Sequence, residues 1–262
     1  MNVYLELTRE FNAGRLRTIV CNGQAAVLHK LAISSKDGDW ILREDDEALR
    51  HVLDVLARRG ARYRFGAPLD LAWMRGGWSA HFEFAANEMR VRTDFFTRPP
   101  RVSAVELARL WREQEGRDPP FTDARILAEM KKTDREKDYP FIGELARLMP
   151  DPRDQIRYSR SADDLIELAA RHPGLVRELT PSRSLLARIA EGRRALAEAI
   201  QLEMLDCMEV NERRIRAYLR ASEGWKKLWP ALEREVDSLD LPQAHAFVVE
   251  RARGVLPPEV GP

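Results

Sequence analysis

The chain has 262 residues, with 43 Lys and Arg against 42 Asp and Glu and a formal net charge of +1. Hydrophobic residues make up 44% and charged residues 32%, which excludes a wholly disordered polymer and leaves no global field to select nucleic acid or a membrane surface. Cys21 and Cys207 are too few and too distant in the chain for a disulfide framework or a zinc site.

The opening segment, with Glu6, Arg9 and Glu10, lacks the apolar run of a secretory signal, and nothing approaches the length of a membrane span. The expectation is a cytoplasmic chain that contacts no membrane. Up to about Arg101, short apolar runs alternate with turn residues. Thr18 to Cys21 leads into Asn22-Gly23, and Gln24 to Leu31 reads as a helix. Trp40 to Leu42 reads as a strand after Asp37-Gly38-Asp39, and Asp45 to Arg59 carries Leu49, Val52, Leu53 and Leu56 at helical spacing. Ala61 to Phe65, Leu69 to Met74 and His81 to Phe84 read as strands. From Met89 to Thr97, Met89, Val91, Thr93 and Phe95 alternate with Arg90, Arg92 and Asp94, the pattern of a half-buried strand. Pro99-Pro100 closes the region, since proline removes a ladder donor.

Beyond Arg101 the texture is helical. Ser103 and Glu106 form a capping box that opens Ala104 to Glu113. Thr122 to Lys132, Gly143 to Met149, Ser161 to Arg171 and Ser182 to Leu219 read as helices, followed by Gly224 to Asp237 and Pro242 to Arg253. The expected architecture is α+β: a mixed sheet with flanking helices over residues 1–150, then a helical domain over residues 151–262.

The Asp37-Gly38-Asp39 triplet admits two readings. Asp-Gly supplies the positive φ of a tight turn. Alternatively, two carboxylates at i and i+2 of an extended segment point the same way and can reach one hard cation. Asp94, on a later strand, is a third carboxylate for such a site; an ion pair with Arg90 or Arg92 is its other reading. Upstream, Gly23 lies between a strand and a helix, where a backbone without Cβ can approach a phosphate.

In this order the segments resemble the nucleotidyltransferase superfamily related to DNA polymerase beta, whose signature is a glycine turn, a spacer, an Asp-x-Asp and a third Asp on a later strand. Asn22-Gly23-Gln24-Ala25-Ala26-Val27-Leu28-His29 is similar to the G-G-x-A-V-x-x-H opening of minimal prokaryotic members, and Ser35-Lys36-Asp37-Gly38-Asp39 to their T-K-D-x-D segment. Arg135, Lys137 and Asp138 resemble the R-x-K-D-x-x-D-I element of the toxin-like subgroup, as found in toxin–antitoxin pairs, with Phe141 at the second Asp position. Gln24 replaces a Gly or Ser, and Gly38 replaces a hydrophobic residue.

The resemblance implies a nucleotidyltransferase-like α+β domain that moves a nucleoside monophosphate from an NTP to a hydroxyl of RNA, protein or a small molecule. It implies Mg²⁺ held by Asp37, Asp39 and Asp94, with Gly23, Gln24, Lys36 and Lys137 near the nucleotide. The alternative it leaves is a catalytically inactive binding module on the same fold. Of the remaining residues, His29, His51, His81, His172 and His245 lack ligand-spaced partners, and no Ser-His-Asp arrangement carries a nucleophile elbow. Arg213, Arg214, Arg216 and Arg220 form the one basic cluster suited to docking a phosphate backbone.

Overall fold

A computed structural model describes residues 2–260. The chain divides into two compact units, one of Met1–Thr122 with Arg216–Pro262 and one of Asp123–Ile215.

The first unit is α+β. In chain order it contains α1 (Val3–Phe11), β1 (Thr18–Cys21), α2 (Asn22–Leu28), β2 (Asp37–Leu42), α3 (Asp46–Arg58), β3 (Arg62–Tyr63), α4 (Leu71–Met74), β4 (Ala80–Ala86), β5 (Met89–Phe96) and α5 (Ala104–Glu113). The sheet is mixed, in the order β1-β2-β5-β4-β3. Three strand pairs are antiparallel, whereas β2 and β5 run parallel. Their connection contains α3, β3, α4 and β4, so the two strands that carry the acidic residues become neighbours only when the intervening chain has folded.

One face of the sheet builds the core. Gly38, Trp40 and Leu42 of β2, Val91 and Phe95 of β5, and Phe82 and Phe84 of β4 are buried there, as the period of two along each strand requires. Trp40 stacks on Phe95 with ring centroids 5.3 Å apart, and its Nε1 donates to Thr8 Oγ1 at 2.9 Å. α1 and α3 cover this face with Tyr4, Leu7 and Phe11, and with Val52 and Leu56. Two later helices complete the cover: α12 (Glu223–Val236), through Trp225 and Trp229, and α13 (Leu241–Arg253), through Val248 and Ala252.

The second unit comprises α6 (Ala124–Met130), a 3₁₀ turn (Glu136–Asp138), α7 (Tyr139–Leu148), α8 (Pro152–Tyr158), α9 (Ala162–Arg171), α10 (Pro173–Leu179), a 3₁₀ segment (Ser184–Glu191) and most of α11 (Arg193–Ala221). Its core gathers Ile156, Leu165, Leu168, Leu186, Leu196 and Ile200.

Several expectations need correction. The domains expected over residues 1–150 and 151–262 differ from the two compact units, because Trp225, Trp229, Val248 and Ala252 of α12 and α13 belong to the core of the sheet. Leu69 to Met74 is not a strand: Asp70 caps the Ala72 N–H, and Leu71–Met74 turns helical. Ser182 to Leu219 is not one helix, since Gly192 takes φ +92 and separates the 3₁₀ segment from α11. α1, α8 and α10 were not anticipated. The β5 alternation and the Ser103–Glu106 capping box are both present as expected.

Candidate functional site on the polar face of the sheet

The face opposite the core carries two polar rows set by strand register. In the first, Cys21 of β1 pairs with Asp39, Asp39 with Asp94, and Asp94 with His81 of β4. In the second, Asp37 pairs with Arg92, Arg92 with Glu83, and Glu83 with Arg62. Register partners lie about 5 Å apart between strands, and residues i and i+2 share a face. Asp37, Asp39 and Asp94 therefore occupy one surface, although Asp94 is 55 residues beyond Asp39 in the chain. The D-G-D triplet opens a strand and does not form a hairpin turn.

Gly38 is explained by the other side of the strand. A Cβ there would lie 2.4 Å from the Trp40 ring and 2.5 Å from the Tyr4 ring. The space a hydrophobic side chain would fill is thus already taken by two aromatics. The Tyr4 hydroxyl donates to the Lys36 carbonyl at 2.6 Å, bracing the start of β2 from below. Burial raises the pKa of this phenol, and the negative charge of Asp37 raises it further.

The glycine turn is equally close-packed. A Cβ on Gly23 would meet Ser35 Oγ at 2.2 Å. Gln24 is 3% exposed, and its amide nitrogen donates to the Ser35 and Asp37 carbonyls at 3.1 and 3.3 Å. A hydroxyl at this position could not span to both carbonyls, so Gln24 ties α2 to the segment entering β2. Lys36 is exposed. Lys137 belongs to the second unit, on an exposed position of the Glu136–Asp138 turn. Its neighbours in the motif, Arg135 and Asp138, form an ion pair at 2.7 Å, and Asp138 also accepts from Thr133 and Lys131.

The charges of the polar face are distributed unevenly. Asp94 Oδ1 accepts from Arg64 at 3.2 Å and lies 2.8 Å from His81 Nδ1. Arg92 approaches Asp37 Oδ1 at 3.7 Å, beyond hydrogen-bonding distance. Glu83 is nearly buried, bonded to Arg62 and Arg90. Arg90 and Arg92, the expected partners of Asp94, thus serve Glu83 and Asp37, because Arg64 and His81 reach Asp94 first from the adjacent strand region. Asp37 Oδ1 is itself screened from solvent and accepts no hydrogen bond. The Arg92 guanidinium at 3.7 Å is the positive charge that faces this oxygen.

Among the described residues, no group of three His, Cys, Asp or Glu side chains is close enough to hold a metal ion unaided. Mg²⁺, however, is usually held by one or two carboxylates together with substrate phosphates. Asp37 and Asp39, on the same face of β2, satisfy that smaller requirement. His81, Arg64 and Glu83 were missed by sequence reasoning. Their signal was weak: His81 and Glu83 alternate with Phe82 and Phe84, which sets their face but not their register against Asp94. The chain matches no protein family, no curated protein and no solved structure. Among the described residues, no helix is long and apolar enough to cross a membrane.

Proposed function

We propose that the chain is a nucleotidyltransferase of the DNA polymerase beta type, acting on an NTP·Mg²⁺ complex at the polar face of the sheet. The observation that carries the reading is the parallel register of Asp39 against Asp94, with Asp37 on the same face. This is the arrangement that the order glycine turn, Asp-x-Asp strand, third-Asp strand requires. It is also the arrangement an unrelated D-G-D hairpin would not produce.

Asp37 and Asp39 would hold the ion, whose role is to neutralise charge on the triphosphate and to lower the pKa of the attacking hydroxyl. Arg92 and Arg64 add fixed positive charge on the same face, suited to a polyanionic substrate. The Asp37 carboxylate is part-exposed and faced by Arg92 at 3.7 Å, so a bound ion would share it with that guanidinium. Asp94, fixed by Arg64 and beside His81, is placed to orient the groups that take the proton from the acceptor. RNA, a protein side chain or a small molecule all present the required hydroxyl.

A specific observation supports a second reading. Arg64 pairs with Asp94 and His81 lies against the same oxygen, an occupied third carboxylate that a nucleotide-binding module without transfer activity would permit. The two are separated by one experiment. Each NTP is added with Mg²⁺ to the purified protein, binding is followed by thermal shift, and transfer of an α-phosphorus label to total RNA and protein is followed in parallel. Transfer that falls about a hundredfold to ten-thousandfold in Asp39→Asn supports the enzyme. Mg²⁺-dependent binding without transfer supports the module, and the absence of NTP binding refutes both.

A further inference from the structure

Beside the acidic row lies a constellation that nucleotide binding does not require. The Ser79 hydroxyl is 2.9 Å from His81 Nε2, and His81 Nδ1 is 2.8 Å from Asp94 Oδ1. A serine, the far nitrogen of an imidazole, its near nitrogen and a carboxylate thus follow one another in the sequence of a proton relay. The imidazole is seated by a built slot: a Cβ on Gly66 would fall 2.3 Å from His81 Cδ2 and 3.1 Å from the Ser79 carbonyl. The slot is pinned on both sides, since Ala67 N–H donates to the Ser79 carbonyl at 2.9 Å and Trp225 Nε1 donates to the Gly66 carbonyl at 2.9 Å. Nδ1 is shielded from solvent and faces Asp94 without hydrogen-bond alignment, as catalytic contacts often do before a substrate is bound. Ser79 and His81 remain partly exposed.

We propose that Ser79, His81 and Asp94 form a hydroxyl-activating relay, and that Ser79 is the chain's own acceptor for the nucleotidyl group. The second half of this rests on the nucleotidyltransferase reading; the first does not. Ser79 Oγ attacks the α-phosphorus of the NTP. The Oγ–P bond forms as the bond to the bridging α–β oxygen breaks, and pyrophosphate leaves with that electron pair. The Oγ proton passes to His81 Nε2, while Nδ1–H is held towards Asp94, so Asp94 acts as a positioning residue. Arg64, donating to the same Asp94 oxygen at 3.2 Å, limits the rotation of the carboxylate and leaves a cation next to the incoming polyphosphate.

Two probes test the two halves. A fluorophosphonate, which needs neither metal nor nucleotide, should phosphonylate Ser79, located by peptide mass spectrometry. Labelling should vanish in Ser79→Ala and fall about a hundredfold in His81→Ala, with free imidazole restoring part of it by filling the vacated slot. Gly66→Ala, which touches no reacting atom, should lower it by displacing the ring, while Asp94→Glu should retain more than Asp94→Asn. Circular dichroism of each variant ensures that folded protein is compared. Incubation with α-labelled NTPs and Mg²⁺ should then add one NMP mass to the Ser79 peptide.

A folded wild type whose Ser79 resists the fluorophosphonate, or His81→Ala protein that labels as fast as wild type, overturns the relay. NTP that binds and transfers to RNA while Ser79 stays unmodified overturns the self-acceptor and leaves the enzyme reading standing. A fluorophosphonate-reactive Ser79 in protein that binds no NTP refutes the nucleotidyltransferase reading, and the self-acceptor with it, while establishing the relay.

Discussion

Gly38→Ala is the sharpest probe of how the acidic pair is held. The added methyl would sit 2.4 and 2.5 Å from ring carbons of Trp40 and Tyr4, more than 1 Å inside ordinary carbon–carbon contact. Neither ring has room to retreat. Trp40 is fully buried, stacked on Phe95, met edge-on by Phe11 and hydrogen-bonded to Thr8; Tyr4 is anchored through its hydroxyl to Lys36. Overpacking a filled core costs about 1–3 kcal/mol, and with two rigid rings the cost belongs near 3. At about 2–4 °C per kcal/mol for a chain of this size, the melting temperature should fall by roughly 6–12 °C. Urea unfolding followed by tryptophan fluorescence measures the loss directly. In a double-mutant cycle with Tyr4→Ala, which clears one side of the clash, the coupling should be at least about 1 kcal/mol. If Gly38→Ala unfolds at the wild-type urea midpoint, or the cycle shows no coupling, the account of why glycine separates the two aspartates is wrong.

Two further outcomes follow from titrating groups outside the site. Burial lowers the pKa of His245, an effect that Asp70 only partly opposes, and its Nδ1 accepts the Tyr63 hydroxyl at 2.7 Å. Below the usual histidine range the unfolded chain binds a proton that the native state resists. Stability should therefore fall as pH drops from 7 towards 5, with a slope of at most about 1.4 kcal/mol per pH unit; an unchanged slope in His245→Phe would contradict this. Burial pushes the Asp138 carboxyl up, but the Thr133 hydroxyl and the charges of Lys131 and Arg135 outweigh it and hold the group below its ordinary value. Its contribution is present above the unfolded carboxylate range and lost as pH falls through the lowered native value. Asp138→Asn should cost about 3 kcal/mol, near the lower end for breaking a buried pair because Arg135 is half-exposed, and should flatten the acid limb of the stability profile; a wild-type acid limb would argue against the pairing.

What the residues alone determine is local. The alternation of β5 places Asp94 opposite Val91 and Phe95 because side chains on a strand alternate with period two. Ser103 and Glu106 announce the start of α5 because both halves of a capping box lie within one helical turn. The order of glycine turn, D-G-D and later Asp is likewise written in the chain, and with it the candidate site.

The remainder depends on pairings between distant segments. The Asp39–Asp94 register and the assignment of α12 and α13 to the sheet join residues separated by tens to hundreds of positions, and the slide of β4 against β5 decides that His81, with Ser79 beside it, meets Asp94. A strand's pattern sets which face it buries but not the neighbour or the slide along it, and an amphipathic helix shows an apolar stripe without naming the surface that covers it. Even Gly38, read along the chain, is only a departure from a pattern. The folded core makes it a necessity, because two aromatic rings from elsewhere occupy the volume its side chain would need.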